Sequence, residues 1–130
     1  MGFAIIGGLK SSLWESEAGM DVTVTVEDAI AIIAMDGHLD ALSAPQAKEA
    51  FREYGTGAYH AVVDLSKVSF IDSSGLASLI SGLKTFRSLQ KQFRLAAVQP
   101  NVRQVLTLTM LDRAFDITPD VRTAVSSIGA

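Results

Sequence analysis

AVVDLSKVSFIDSSGLASLISGLKTFRSLQKQFRLAAV, residues 61–98, changes its hydrophobic period twice. Residues 61–65 form a compact apolar run of strand length, and residues 68–71 carry the chain on to Asp72-Ser73-Ser74-Gly75. From there Leu76, Leu79, Ile80, Leu83 and Phe86 fall on one helical stripe. Lys84, Arg87 and Lys91 gather toward its end, where cations oppose the negative pole of the helix dipole. The spacing predicts a helix over 74–89. Residues 93–98 return to strand character, so the whole stretch is a strand, a crossover helix and a second strand parallel to the first. The class is α/β.

Working outward, Val22, Val24 and Val26 alternate with Thr23 and Thr25, the period of a half-buried strand. Glu27-Asp28-Ala29 turns the chain into the apolar run 30–35, which ends at Asp36-Gly37 and completes an antiparallel hairpin. After His38-Leu39-Asp40, Ser43 offers a capping hydroxyl and Pro45 a ring suited to a first helical turn. Ala47, Ala50, Phe51 and Tyr54 then recur at three- and four-residue spacing, and Gly55 closes that helix. Downstream, residues 100–109 predict a shorter helix with Val102, Val105 and Leu106 inward, 115–117 an edge strand, and 119–128 a last helix begun by Thr118-Pro119. Together these give a mixed, mostly parallel sheet of four to five strands packed with about four helices.

Residues 1–20 mix glycine, serine, charge and Trp14 without a sustained period, and read as an N-terminal extension outside a domain spanning 21–130. Phe3, Ile5, Ile6 and Trp14 would let that extension cover a neighbouring subunit, which leaves room for a homodimer. Its apolar run Phe3-Ala4-Ile5-Ile6 is cut short by Gly7-Gly8 and Lys10 with no basic segment before it, so a secretory signal is not expected. Nor does any run approach the roughly 18 apolar residues of a spanning helix, and no membrane role is expected.

A chain of 130 residues can bury a core without cross-links, and 48% hydrophobic against 19% charged residues speaks against disorder. With 14 acidic and 11 basic residues, a net charge of -3, it has no surplus of cations to neutralise phosphates, so nucleic acid is not an expected partner. Cysteine is absent, which removes disulfides, thiolate nucleophiles and sulfur-ligated metals and fits a cytoplasmic protein.

A serine at a helix start can be a nucleophile, a cap or a phosphate acceptor. The first needs a base and an oxyanion hole; G-x-S-x-G is absent, Ile71 and Asp72 standing where the glycine and spacer belong, and the only imidazoles are His38 and His60. No enzyme is expected. Asp36, His38 and Asp40 share one face of an extended strand, but no second cluster completes a metal site, and they read as a polar strand end beside Gly37. Neither phosphate-binding glycine motif occurs, so no cofactor is expected. On the residues alone, capping by Asp72 or a hydroxyl is the preferred reading. A capped helix start also tolerates a seryl phosphate, because free N–H groups and the positive dipole end face it.

LSKVSFIDSSGL (65–76), taken with Gly37-His38-Leu39-Asp40 and Ala44-Pro45 upstream and with Arg94-Leu95-Ala96, Pro100-Asn101-Val102-Arg103 and residues 108–115 downstream, resembles the STAS domain of bacterial anti-sigma factor antagonists. The likeness covers about residues 20–128, although Lys91-Gln92-Phe93 lacks the glycine the pattern has before that strand. It implies partner switching. The unmodified domain binds an anti-sigma factor that is also a serine kinase, and the sigma factor is freed. The kinase spends ATP to phosphorylate the serine after the motif aspartate, here Ser73, the complex parts, and a metal-dependent serine phosphatase restores the domain. ATP and metal thus belong to the partners. By the same resemblance Asp72 positions Ser73, Ser74 is its neighbour at the helix start, Gly75 is the small residue that admits a partner backbone, and Gly37, His38, Leu39 and Asp40 form a second part of the partner surface. Spacing alone does not separate Ser73 from Ser74. The rival within the same fold is a STAS scaffold or subunit of a stress-sensing complex or a lipid transport system, against which the intact Asp-Ser-Ser-Gly turn favours a phosphorylated switch.

Overall fold

Among the described residues, one sheet of seven strands runs in the order in which the chain makes them. The computed structural model describes the backbone of residues 2–6, 9–14 and 20–129 and the side chains of residues 20–128. Strands β1 (Gly2–Ile6), β2 (Leu9–Trp14), β3 (Met20–Glu27) and β4 (Ile30–Leu39) follow one another antiparallel. Strands β5 (His60–Ile71), β6 (Phe93–Ala96) and β7 (Asp116–Thr118) add to β4 in parallel. Helices α1 (Ala44–Tyr54), α2 (Ser73–Ser88) and α3 (Pro100–Leu108) make the three parallel connections, and α4 (Val121–Gly129) closes the chain.

Three crossovers that step the same way across a sheet, each right-handed, must lie on the same face. That face carries the main core: Val22 and Val24 of β3, Ile33 and Met35 of β4, Val63 and Leu65 of β5, and Leu95 of β6 meet Phe51, Leu79, Phe86, Val102 and Leu106 of the three helices. Phe93 sits among Phe51, Phe86 and Phe115, with ring centroids 5.3, 5.6 and 6.3 Å away. On the opposite face Ile30, Val62 and Ala96 are covered by Ala124 of α4.

β3–β7 with four helices form the mixed, mostly parallel α/β arrangement expected. The sheet also continues beyond β3, because residues 1–20 supply β1 and β2, with Ser11 opposite Thr25 and Trp14 opposite Val22. Pairing along an edge needs backbone hydrogen bonds and no hydrophobic alternation, so this segment joins the sheet without the period that marks a half-buried strand. The side chains of Phe3, Ile5, Ile6 and Trp14, expected to cover a neighbour, lie outside the described residues.

Residues 61–65 and 68–71, two runs in the sequence, belong to one twelve-residue strand. Its register against β4 shifts between Ala34 and Asp36 and again between Gly37 and His38, each time placing an extra residue in β5. From the first shift on, the buried positions Leu65, Val68 and Ile71 come every third residue, a period that bulges produce and that alternation rules miss. β4 likewise runs on to Leu39 rather than stopping near Met35.

The last helix starts after Asp120, whose carboxylate accepts from the Thr123 amide at 2.7 Å. That bond holds the Asp120 carboxyl below its ordinary range. At the other end of the sheet, the His60 Nδ1 accepts from the Gln92 amide at 2.9 Å and ties the start of β5 to the approach to β6. Burial, and then the charges of Lys91 and Arg94, lower the His60 pKa from its ordinary 6.5. The folded chain therefore favours the neutral ring. Its contribution to stability is complete above the unfolded value and is lost as pH falls below it toward the folded one. Between pH 7.5 and 5.5 the urea midpoint of the wild-type chain should fall, and that of His60→Asn, which keeps an acceptor for Gln92 and does not titrate, should fall by less. Parallel curves for the two chains would refute this role of the ring.

Candidate partner-binding site

The parallel strands end at a surface where β4 passes into α1 and β5 into α2. Asp72 is the N-cap of α2, with extended backbone and a carboxylate whose Oδ1 accepts from the Gly75 amide at 3.0 Å. Its Oδ2 accepts from the Ala41 amide at 3.2 Å, thirty-one residues away in sequence. Its own amide donates to the Leu39 carbonyl at 3.2 Å. One residue therefore caps a helix and fastens that helix to the loop leaving β4.

Ser73 is the first residue of α2 and is exposed, while Ser74 is half-buried and Gly75 fully buried. Helix geometry leaves the amides of Ser73 and Ser74 without intrahelical acceptors. No hydrogen bond to the Ser73 hydroxyl forms among the described residues, so it faces solvent above a positive helix end. His60 stands at the start of β5, at the opposite end of that strand from Ser73, and is no base for it.

Residues 37–40 converge on the same surface. Leu39 pairs with Ile71 and His38 with Phe70 in the β4–β5 ladder. The exposed His38 ring meets Phe70 edge to face, centroids 5.8 Å apart. Gly37 has φ 131, a backbone angle that L side chains rarely adopt, beside the second register shift. Leu39 is completely buried, so its side chain belongs to the core and only its backbone serves the site. Asp40 turns its Oδ1 back to the amides of Leu42 and Ser43, at 3.0 and 3.2 Å, which occupies it within its own turn. Asp36, His38 and Asp40 accordingly form no metal cluster, and no group of three such ligands stands among the described residues.

Two residues act differently from their sequence reading. Ser43 precedes α1 but its hydroxyl does not cap it; buried, it donates to the His38 carbonyl at 2.6 Å and accepts from the Asp40 amide at 3.0 Å. Gly75 makes its close approach within the chain: a Cβ there would lie 2.2 Å from the Leu39 carbonyl oxygen and 2.8 Å from Ile71 Cγ1. Its smallness lets α2 start against β4. The sequence reading passed over Phe70 and Leu42, which are 48% and 75% exposed. Their signal was an apolar residue outside every hydrophobic stripe. At the far side of β5 the Gln99 amide donates to the Ser66 carbonyl at 2.7 Å and that of Asn101 to the Ser69 carbonyl, so the start of α3 braces the bulged end of the strand.

Set against known proteins, residues 21–124 match the family model of the STAS domain. The chain belongs to the STAS domain family. Anti-sigma-B factor antagonists of Listeria monocytogenes and Listeria innocua are each 29% identical to it over 86 residues, 65% of this chain and 75% of the relative. The crystal structure of an anti-sigma factor antagonist from Mycobacterium paratuberculosis superposes with a TM-score of 0.77 at 25% identity, over 90% of this STAS domain protein and all 100% of that chain. An anti-sigma-factor antagonist (STAS) domain protein from Planctomyces limnophilus shares the fold with a TM-score of 0.77 at 24% identity, over 84% of this chain and 98% of that one.

Because the atom nearest a Gly75 methyl is backbone, the STAS domain cannot absorb that group by a rotamer change. Gly75→Ala should cost about 1–3 kcal/mol, as overpacking does, and separate the start of α2 from Leu39. Thermal unfolding together with exchange of the Asp72 amide checks both; an unchanged melting temperature would contradict so close a seat for Gly75.

Proposed function

We propose that this STAS domain is an anti-sigma factor antagonist that binds an anti-sigma factor serine kinase while Ser73 is unmodified and lets go once it is phosphorylated. The observation that carries the reading is the exposed hydroxyl of Ser73 at the first position of α2, on a helix start that Asp72 caps and Gly75 seats against Leu39. The Listeria relatives and the Mycobacterium structure, all anti-sigma factor antagonists by name, support the general role. Ser73 rather than Ser74 is the acceptor in this reading, since Ser74 is half-buried.

In the transfer the Ser73 oxygen attacks the γ-phosphorus of ATP held by the kinase, and the bond to the ADP oxygen breaks. The hydroxyl proton leaves to a base of the partner. A serine phosphatase reverses the change with water, releasing inorganic phosphate. Phosphate adds about -1.5 to -2 charges, and a partner surface shaped for a neutral hydroxyl must then desolvate or repel that charge. The helix end eases the charge on the free domain through the Ser73 and Ser74 amides. Nothing comparable is required of the partner, so the equilibrium moves toward release. In this reading Asp72, Ser74, His38 and Asp40 share the binding face with Ser73, and the backbones of Gly37, Leu39 and Gly75 shape it. The reading places the protein in the cytoplasm with the transcription machinery it regulates.

Incubation with the cognate kinase and ATP should add one phosphate, located on Ser73 by fragmentation of the peptide. Ser73→Ala should bind the kinase as the wild type does and accept no phosphate, while Ser73→Asp should bind at least about tenfold more weakly, a loss of roughly 1.4 kcal/mol. Phosphate on Ser74 alone, or tight binding by Ser73→Asp, would overturn the assignment.

A further inference from the structure

Leu42 is 75% exposed in the loop between β4 and α1. A single exposed leucine on a soluble protein ordinarily needs no explanation. This one stands on a loop braced at almost every position. The Asp40 carboxylate takes the Leu42 and Ser43 amides, and the Asp40 carbonyl takes the Ala44 amide at 2.8 Å. The buried Ser43 hydroxyl links the His38 carbonyl to the Asp40 amide. The Ala41 amide reaches across to Asp72 Oδ2 at 3.2 Å. The backbone on both sides of Leu42 is thereby fixed, so burying this residue would cost the rotamer freedom of its side chain but no further ordering of the loop. The same braces run to His38, whose ring meets Phe70, itself 48% exposed. Two apolar side chains are thus held in water on the elements that flank Ser73.

Resting on the reading that a serine kinase binds the Ser73 face, we infer that Leu42 is the apolar anchor by which that kinase recognises this domain, with Asp72 as the positioning residue that holds it. The occupant is the kinase surface around its phosphoryl-donor site, which offers an apolar recess to Leu42. A surface that brings ATP to Ser73 also meets a loop one hydrogen bond from the preceding residue. Binding energy at interfaces concentrates in a few side chains whose surroundings exclude water, and Asp40, tied to the Leu42 amide, stands beside the proposed anchor. Leu42 then sets how tightly the partner is held, and the charge on Ser73 sets whether it stays.

The test titrates the full chain into purified kinase loaded with ADP, and measures phosphorylation of Ser73 with ATP in parallel. Leu42→Ala, at an exposed position, leaves the fold intact; it should weaken binding about 10- to 100-fold, near 1.4 kcal/mol for each tenfold, and raise KM without lowering kcat. Leu42→Met should restore most of the affinity. Asp72→Asn keeps an oxygen for the Gly75 amide and turns an amino group toward Ala41. Exchange of the Ala41 amide should quicken in it, and Leu42→Ala should cost less than about threefold in that background, because positioned residues are coupled rather than additive. If the wild-type chain binds and is phosphorylated while Leu42→Ala does both equally well, the anchor is wrong and the functional reading stands. Equal losses from Leu42→Ala in the two backgrounds would remove Asp72 as its positioning residue. A wild-type chain that neither binds nor is phosphorylated overturns the functional reading and the anchor with it.

Discussion

A single carboxylate joins the two halves of the working surface. Asp72 accepts the Gly75 amide with one oxygen and the Ala41 amide with the other, so the start of α2 and the loop leaving β4 cannot move apart without leaving an acceptor unpaired. The close seat of Gly75 on Leu39 belongs to the same alignment. Sheet and helices supply the platform, but Asp72 determines how the platform ends.

This division explains why the site can be rigid and still carry a switch. On the proposed function, a phosphate on Ser73 would meet two amides that the helix leaves unpaired, and the free domain could take up the charge where it stands. Leu42 and Phe70, neither of which titrates, stand exposed beside it. On the proposed function, affinity and regulation would rest on different side chains of one surface.

Much of this was legible in the residues, and the exceptions share a cause. Burial follows period, so the alternation of Val22 and Val24 and the helical stripe of Leu76, Leu79, Leu83 and Phe86 marked the two sides of the main core. The Asp-Ser-Ser-Gly turn marked the helix start because capping is a local interaction. What the sequence concealed was long-range geometry. The extra residues in β5 break its period and look like a gap between two strands. Ser43 has a residue type suited to capping, yet the nearby His38 carbonyl claims its hydroxyl. Gly75 looks like an opening for a partner until Leu39 is placed above it. Leu42 announces itself only when its neighbours are seen to be tied down.

The order of the strands has a consequence for how the chain is made. Each strand of the sheet pairs with the one synthesised just before it, and no strand is inserted between two that already exist. Each parallel pairing nevertheless spans a whole crossover helix, so closing it costs the entropy of a long loop. The contact of Asp72 with the Ala41 amide accordingly draws only on β4, β5 and the turns that leave them, and on none of the elements that follow α2.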